Sequence, residues 1–361
     1  MSVSETERSS GKLRLAVLGA GAVAELCHLP AAADCPQVDI VALVDTNLER
    51  ARRLADQFSI GTTTADYRDL FGSVDAVINA LPHHLHAGVS IEFLERRLPV
   101  LVEKPMALNA EQARGMTDAA RANGTVLQVG LMYRFCQGVA TLRRFIEDGL
   151  LGQLQRFELE SGFIYDWPVA SGFFFDPRQA GGGVLIDTGS HMLDLLIGMI
   201  GPVVDCEYRD DSAGGVEADC QLSLTLRAAS GPVAGEVTLS RLRKLSDCLR
   251  ITGERLTIEY DLGTPDNVRI RPTRPFETGE SFVSDAAKSN RQTWGQVYVE
   301  QLAAFAGAVR GANCRAAGHD VIESMALISE CYRNRKTLER PWNSPQPSRK
   351  LEKRETCNAR S

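Results

Sequence analysis

The sequence predicts an α/β protein of two domains: a doubly wound parallel sheet, then an α+β domain whose strands pair mainly antiparallel. Three observations predict this. Short apolar runs alternate with helical stretches over the first third of the chain. The first run ends in a glycine turn that opens a helix. Beyond residue 133 the runs lengthen and alternate apolar with polar, as strands with one packed face do.

Residues 1–11 are polar, bury nothing to offset their ordering entropy, and are expected as a disordered tail. Leu13 to Gly21 (LRLAVLGAG) is a buried strand and its turn. Ala22 to Ala33 follows as a helix, cut off by Pro36. Val38 to Asp45 is a second apolar strand that stops on an acid. Asn47 to Phe58 is amphipathic, with Leu48, Ala51, Leu54, Ala55 and Phe58 at helical spacing. Strands Val74 to Leu81, Val100 to Glu103 and Val126 to Gly130 then alternate with helices Ala87 to Arg96 and Ala110 to Asn123. Right-handed crossovers make these a parallel sheet covered on both faces, a domain of residues 12–133.

The second domain is expected over residues 134–344. It opens with a helix from Val139 to Asp148. Antiparallel strands follow at Leu154 to Phe163, Ala218 to Arg227, Ala234 to Arg241, Cys248 to Ile251 and Leu256 to Tyr260. A helix from Asp187 to Ile200 lies among them, and helices Val297 to Arg310 and Asp320 to Arg333 close the domain. Residues 345–361 have little to bury and are expected as a disordered tail.

Composition narrows the function. Hydrophobic residues at 44% and charged residues at 24% are the mix of a soluble globular protein. A formal net charge of -6 disfavours a nucleic-acid partner. No apolar run approaches the roughly 18 residues of a membrane span, and MSVSETERSSGK lacks the apolar segment of a signal peptide. Nine scattered cysteines without a Cys-x-x-Cys pair suit reduced thiols, so a cytoplasmic location is expected.

Gly19, Gly21 and Ala24 fit Gly-x-Gly-x-x-Ala, with Ala22 and Val23 between them, directly after a strand and opening a helix. The first glycine permits the tight turn, the second lets backbone approach a pyrophosphate, and the small third residue lets the helix pack. Free N–H groups at the helix start would meet that pyrophosphate. Asp45 could accept both ribose hydroxyls of NAD and would repel the 2'-phosphate of NADP. NADP stays open because Arg50 or Arg52 could reach a phosphate.

The strand after Val74 runs into Pro82 and three histidines, 83, 84 and 86. Their spacing is poor for one ion and no Cys or acidic cluster stands nearby, so no metal is expected. The loop lies at the carboxyl end of a parallel strand, which assigns them cofactor-side or helix-capping roles. The next strand ends in Glu103-Lys104-Pro105, with Glu103 and Lys104 expected on the cofactor side. A lysine there would point toward the nicotinamide, where its ammonium could favour the alkoxide formed as hydride leaves. Pro105 confines the lysine's backbone to extended conformations.

On one helix from Asp187 to Ile200, the residues Asp187, His191 and Asp194 fall on one stripe at i, i+4 and i+7 amid apolar neighbours. His191 is suited to accept and return a proton near neutral pH. Lys104 is the other candidate base. Asp187 would orient the imidazole or bond a neighbouring hydroxyl, and Asp194, a turn further on, is expected to pair structurally. Gly181 to Gly183 are expected to allow close approach by the substrate or the nicotinamide end. Between Phe163 and Arg178, Tyr165, Trp167 and Arg178 could frame a sugar ring, while Phe173 to Phe175 could equally be core. Arg178 could also hold a phosphate or carboxylate, which keeps a nucleotide sugar or sugar acid open.

Together GAGAVA, the EKP at 103–105 and GGGVLIDTGSHMLD at 181–194 resemble the Gfo/Idh/MocA family of sugar and cyclitol oxidoreductases, over nearly the whole chain. The resemblance implies an N-terminal Rossmann domain and a C-terminal domain on a large open sheet, often paired face to face into homodimers or homotetramers. It implies that Lys104, Asp187 and His191 are catalytic, that Pro82 and His86 border the cofactor, and that Tyr133 and Arg134 form a hinge. The expected activity is hydride transfer between NAD and a secondary alcohol. An enzyme that recycles a tightly held NAD and a non-catalytic NAD-binding regulator are the alternatives.

Overall fold

The computed structural model describes residues 11–166, 168, 171–213, 215–274, 284–285 and 291–340. The two expected tails fall almost wholly outside them.

Six parallel strands form the first sheet in the order β3-β2-β1-β4-β5-β6. They are β1 Leu13–Leu18, β2 Val38–Val44, β3 Thr62–Thr64, β4 Ala76–Asn79, β5 Val100–Val102 and β6 Leu127–Val129. This 3-2-1-4-5-6 order reverses direction between β1 and β4 and leaves a crevice at their carboxyl ends. β3 escaped the reading by periodicity because three threonines carry no apolar alternation. The helix after β1 begins with a π-helical turn, Ala24–His28, and continues as α1 Leu29–Asp34. α2 Leu48–Phe58, α3 His83–Glu95 and α4 Ala110–Asn123 make three of the other crossovers, and the 3-10 turn Tyr67–Leu70 lies in the fourth, between β3 and β4. Caps end them where the sequence suggests: Asn47 accepts from Arg50 N–H, Asn109 from Gln112 N–H, and Gly124 closes α4 at φ +61°.

α5 Gln137–Glu147 leads into a nine-stranded mixed sheet with β7 Leu154–Gly162 near its centre. α6 Pro177–Ala180, α7 Val184–Asp187 and α8 Gly189–Ile200 follow. Then come β8 Val203–Asp210, β9 Asp219–Ala228, β10 Gly231–Ser240, β11 Cys248–Gly253, β12 Leu256–Asp261, β13 Val268–Pro272 and β14 Ser284–Asp285. β10 pairs parallel with β7, and β15 Lys336–Thr337 with β8; the other pairings are antiparallel. α9 Trp294–Val309 and α10 Ile322–Arg333 are the closing helices.

The expected single helix from Asp187 to Ile200 is two. α7 ends at Asp187, α8 begins at Gly189, and the chain turns by 47° between Pro177–Asp187 and Gly189–Ile200. The chain bends between Asp187 and His191, so their i, i+4 spacing on one straight helix does not fix their relation.

One buried apolar cluster runs from Ala16, Val77 and Val102 through Tyr133 to Leu185, Leu222 and Met325, so both sheets share a core. A second cluster, on the other face of the first sheet, joins Leu15, Val17 and Leu43 to Leu302, Phe305 and Ala306 of α9. The late helix α9 thus seals the early domain.

Candidate active site

The glycine turn comes first because it sets where a cofactor can lie. Gly19 has φ +99°, and a Cβ there would meet the Ala80 carbonyl at 2.5 Å, so the turn needs a residue without one. Around Gly21 a Cβ would meet nothing within 4 Å. Ala24 is fully buried, and Ala22 and Val23 start the helix. Open space beside a helix start at the crevice of a 3-2-1-4-5-6 sheet fits a pyrophosphate. Asp45 stands beside it just past β2, its Oδ2 accepting from Ala20 N–H (2.9 Å) and its Oδ1 from Asn47 N–H (2.8 Å). Arg50 Nη2 donates to both oxygens at 2.9 Å, which offsets the repulsion of a 2'-phosphate expected from Asp45 alone.

Pro82 caps α3, and His83 and His86 behind it bond carbonyls of neighbouring segments. His86 is buried with Nδ1 2.7 Å from the Pro105 carbonyl and Nε2 2.7 Å from that of Leu81. It therefore straps two loops together, both ring nitrogens facing carbonyls. His83 Nδ1 donates to the Ala180 carbonyl at 2.9 Å, bonding α6 of the second domain. Burial, with His86 nearby, pulls the His83 pKa down to about 3.

Glu103 Oε1 accepts from His28 Nε2 at 2.7 Å and its Oε2 from the Lys104 N–H at 3.1 Å. Burial raises its pKa, but the His28 hydrogen bond and Lys104 outweigh that and hold it below the ordinary range. The carboxylate thus faces His28, on the π-helical turn, and anchors the backbone under Lys104. Both of its oxygens are taken by protein donors. The Lys104-Pro105 peptide is cis, a geometry that the extended-backbone argument did not anticipate.

Lys104 and Asp187 meet across the two domains. Lys104 Nζ donates to Asp187 Oδ1, and Asp187 Oδ2 accepts from Arg241 Nη2 at 2.5 Å. Burial raises the Asp187 pKa, yet Lys104 and Arg241 together drive it far below the carboxylate range. His191 lies in the first turn of α8, 6% exposed, its ring edge-on to Tyr133 with centroids 5.3 Å apart. Burial, with Lys104 nearby, holds its pKa near 3, so the imidazole is neutral. Its Nδ1 is buried without a partner among the described residues. Asp194 is not part of this group: Arg134 grips it through Nε at 2.9 Å and Nη2 at 2.6 Å.

Residues 13–131 match the family model described as "Oxidoreductase family, NAD-binding Rossmann fold", and residues 139–259 match the GFO/IDH/MocA C-terminal domain. Rhizopine catabolism protein MocA of Rhizobium meliloti is 33% identical over 64% of this chain and 72% of its own length. The chain belongs to the GFO/IDH/MocA oxidoreductase family. The likeness to other relatives is less even. D-glucoside 3-dehydrogenase of Escherichia coli (strain K12) is 32% identical over 54% of this chain, which spans 55% of that protein. Inositol 2-dehydrogenase of Rhizobium meliloti (strain 1021) is 23% identical over 89% of this chain and 96% of its own length. A structure of levoglucosan dehydrogenase in complex with NADH superposes with a TM-score of 0.80 at 19% identity, covering 90% of this chain and 96% of that one.

Other expectations for this GFO/IDH/MocA chain are corrected by packing. The glycines at 182 and 183 are approached by the protein itself: a Cβ on Gly182 would overlap the Tyr332 hydroxyl, and one on Gly183 the Glu217 backbone. Arg178 is 89% exposed and pairs with Asp176 at 3.2 Å, capping its own short helix away from Asp187. Trp167 lies outside the described residues. Tyr165 is at the site, half-buried, with the Arg241 guanidinium 5.2 Å from its ring centre. Phe173 and Phe174 pack edge-on against His83, while Phe175 is 70% exposed and is not core.

Arg241 is the residue that sequence reading missed. It ends the β10 run just as Lys104 ends the β5 run, and a cation closing an apolar strand was the signal that flagged Lys104. The sequence reading placed it only as the last residue of a strand.

Proposed function

We propose that this protein is an NAD-dependent dehydrogenase, a ketoreductase in reverse, acting on a secondary alcohol of a sugar, cyclitol or sugar derivative. The observation that carries the proposal is the meeting of Lys104, from the nucleotide-binding domain, with Asp187 near a neutral, buried His191. D-glucoside 3-dehydrogenase and inositol 2-dehydrogenase among the relatives support the substrate class. NAD, when bound, supplies the acceptor for the hydride. The hydroxyl proton has to leave as the carbonyl forms, and His191 is its acceptor, unprotonated at ordinary pH although burial makes it a weaker base than a free imidazole. The Lys104 ammonium donates to the oxygen on which charge develops, and Asp187 fixes that ammonium in place. Gly19, Gly21, Ala22, Val23, Ala24 and Asp45 hold the dinucleotide, with Pro82 bordering it. A regulator without turnover has no use for such a cluster.

The test is turnover, followed by NADH absorbance over cyclitols, free sugars and nucleotide sugars. Lys104→Ala and His191→Ala should each lower kcat by about 100-fold to 10,000-fold, the range for a lost proton acceptor or oxyanion partner. NAD affinity should stay within about threefold, less than 1 kcal/mol. Undiminished kcat in either variant removes the role given to that residue. No described helix is long and apolar enough to cross a membrane. We place the enzyme in the cytoplasm and propose a homodimer or homotetramer formed through the open face of the large sheet; light scattering on the purified protein tests the assembly.

A further inference from the structure

The substrate side of this cluster holds more cationic donor capacity than oxidation of an alcohol requires. Lys104 and Arg241 share one carboxylate, each on its own oxygen of Asp187. Glu103 has both oxygens engaged, by His28 and by the Lys104 N–H. His191 and His83 are neutral. Arg241 is therefore held by one carboxylate oxygen and by the face of Tyr165, with a side chain only 11% exposed. Its Nε is buried and has no partner among the described residues. A guanidinium presents five N–H groups, and those left unmet in a buried place carry a desolvation cost until an acceptor arrives.

We infer that the substrate is a sugar acid, a polyhydroxylated monocarboxylate whose carboxylate is held by Arg241 while Lys104 meets the hydroxyl to be oxidised. The inference rests on the dehydrogenase reading above and narrows its substrate. Three features favour it. The planar guanidinium fork matches a carboxylate edge to edge. One carboxylate separates the two cations, so the bound carboxylate and the reacting hydroxyl sit as near as substituents of a single small ring. Asp187 also stands against Arg241, and that negative charge penalises a phosphate dianion more than a monoanion. The anion-binding role that sequence reading gave to Arg178 thus passes to Arg241, since Arg178 is spent on Asp176 at the surface.

Calorimetric titration of the NADH-loaded enzyme, in which no alcohol is oxidised, separates this inference from turnover. The probes are matched pairs: D-glucuronate and D-glucose, D-galacturonate and D-galactose, D-gluconate and D-glucitol, with D-glucose 6-phosphate alongside. At least one acid should bind about 10-fold to 100-fold tighter than its neutral partner, the range for a buried charge-assisted hydrogen bond. Arg241→Gln should erase that preference and Arg241→Lys keep part of it. Equal binding within every pair, no binding of any acid, or tighter binding of the sugar phosphate each overturns the carboxylate assignment. So does an equal loss for acid and neutral sugar in Arg241→Gln, which would make Arg241 only a brace for Asp187. Separate turnover assays keep the two claims apart. NADH formed from neutral sugars without acid preference leaves the dehydrogenase standing without the carboxylate. Tight, Arg241-dependent acid binding with no NADH from any polyol does the reverse.

Discussion

At the residue scale the two buried imidazoles set how the molecule responds to acid. His83 and His191 both have pKa values near 3 when folded, against an ordinary value near 6.5 when the chain is unfolded. Between those values the unfolded chain binds protons at these sites that the folded one does not, so stability falls as pH falls. Each should cost about 2 kcal/mol at pH 5 relative to pH 8. Asp187 acts below this window: its folded pKa is depressed, so its contribution is whole above the unfolded carboxylate range and is lost only in stronger acid. Urea midpoints at pH 8 and pH 5 check this. The variant His191→Gln should lose about 2 kcal/mol less than the wild type between the two, and an identical loss would mean that His191 is not held neutral. For the same reason kcat/KM should show no acid limb from His191 near pH 6.5.

At the element scale two glycine stretches look alike in sequence and act oppositely. Gly183 sits where the start of α7 presses on the Glu217 backbone, and backbone cannot swing aside as a side chain can. Gly21 faces open space at the helix after β1. Gly183→Ala should therefore destabilise the protein by about 3 kcal/mol or more, as overpacking against a fixed neighbour does. Gly21→Ala should leave the urea midpoint within about 0.5 kcal/mol and raise KM for NAD at least tenfold. If Gly183→Ala is as stable as the wild type, the glycine run is not packed as described. The contrast also marks what was legible. Gly-x-Gly-x-x-Ala after an apolar strand is a local pattern with a local cause, and the doubly wound sheet, Asp45 and Lys104 all followed from strand ends. The GGG run owes its glycines to Glu217 and Tyr332, far along the chain, and no local pattern carries that information. Arg241 and the break at Thr188 were hidden in the same way, because one depends on Tyr165 and Asp187, far along the chain, and the other on tertiary packing. β8 and β13 were missed as well, although Val204, Cys206 and Tyr208 alternate with Asp205, Glu207 and Arg209 in β8.

At the scale of the whole molecule, what matters is how two domains hold one site. Lys104 comes from the first, and Asp187, His191 and Arg241 from the second, so the chemistry depends on the joint between them. Arg134 is that joint. It lies in the turn Met132–Phe135 just after β6, and its side chain is only 13% exposed. Nε and Nη2 clasp Asp194 on α8, one turn beyond His191, while Nη1 donates to the Arg315 carbonyl and to Asp320, both at 3.2 Å. The hinge expected at Tyr133 and Arg134 is therefore a clamp. Burial already pushes the Asp194 pKa up, and the Arg134 hydrogen bond and charge counter that rise. Removing Arg134 strands a buried carboxylate, and breaking such a pair from one side costs about 3–5 kcal/mol. Arg134→Ala should show that loss by urea denaturation at pH 8. The loss should shrink toward pH 5, because a carboxyl with a raised folded pKa is relieved as it takes up a proton. The double variant Arg134→Ala with Asp194→Asn, having no charge to strand, should recover more than half of the stability at pH 8. Its kcat should remain low, since α8 would still lack the tie that sets His191 against Lys104. A single variant that unfolds no more easily than the wild type would mean that the shared apolar core, and not this ion pair, fixes the two halves of the site.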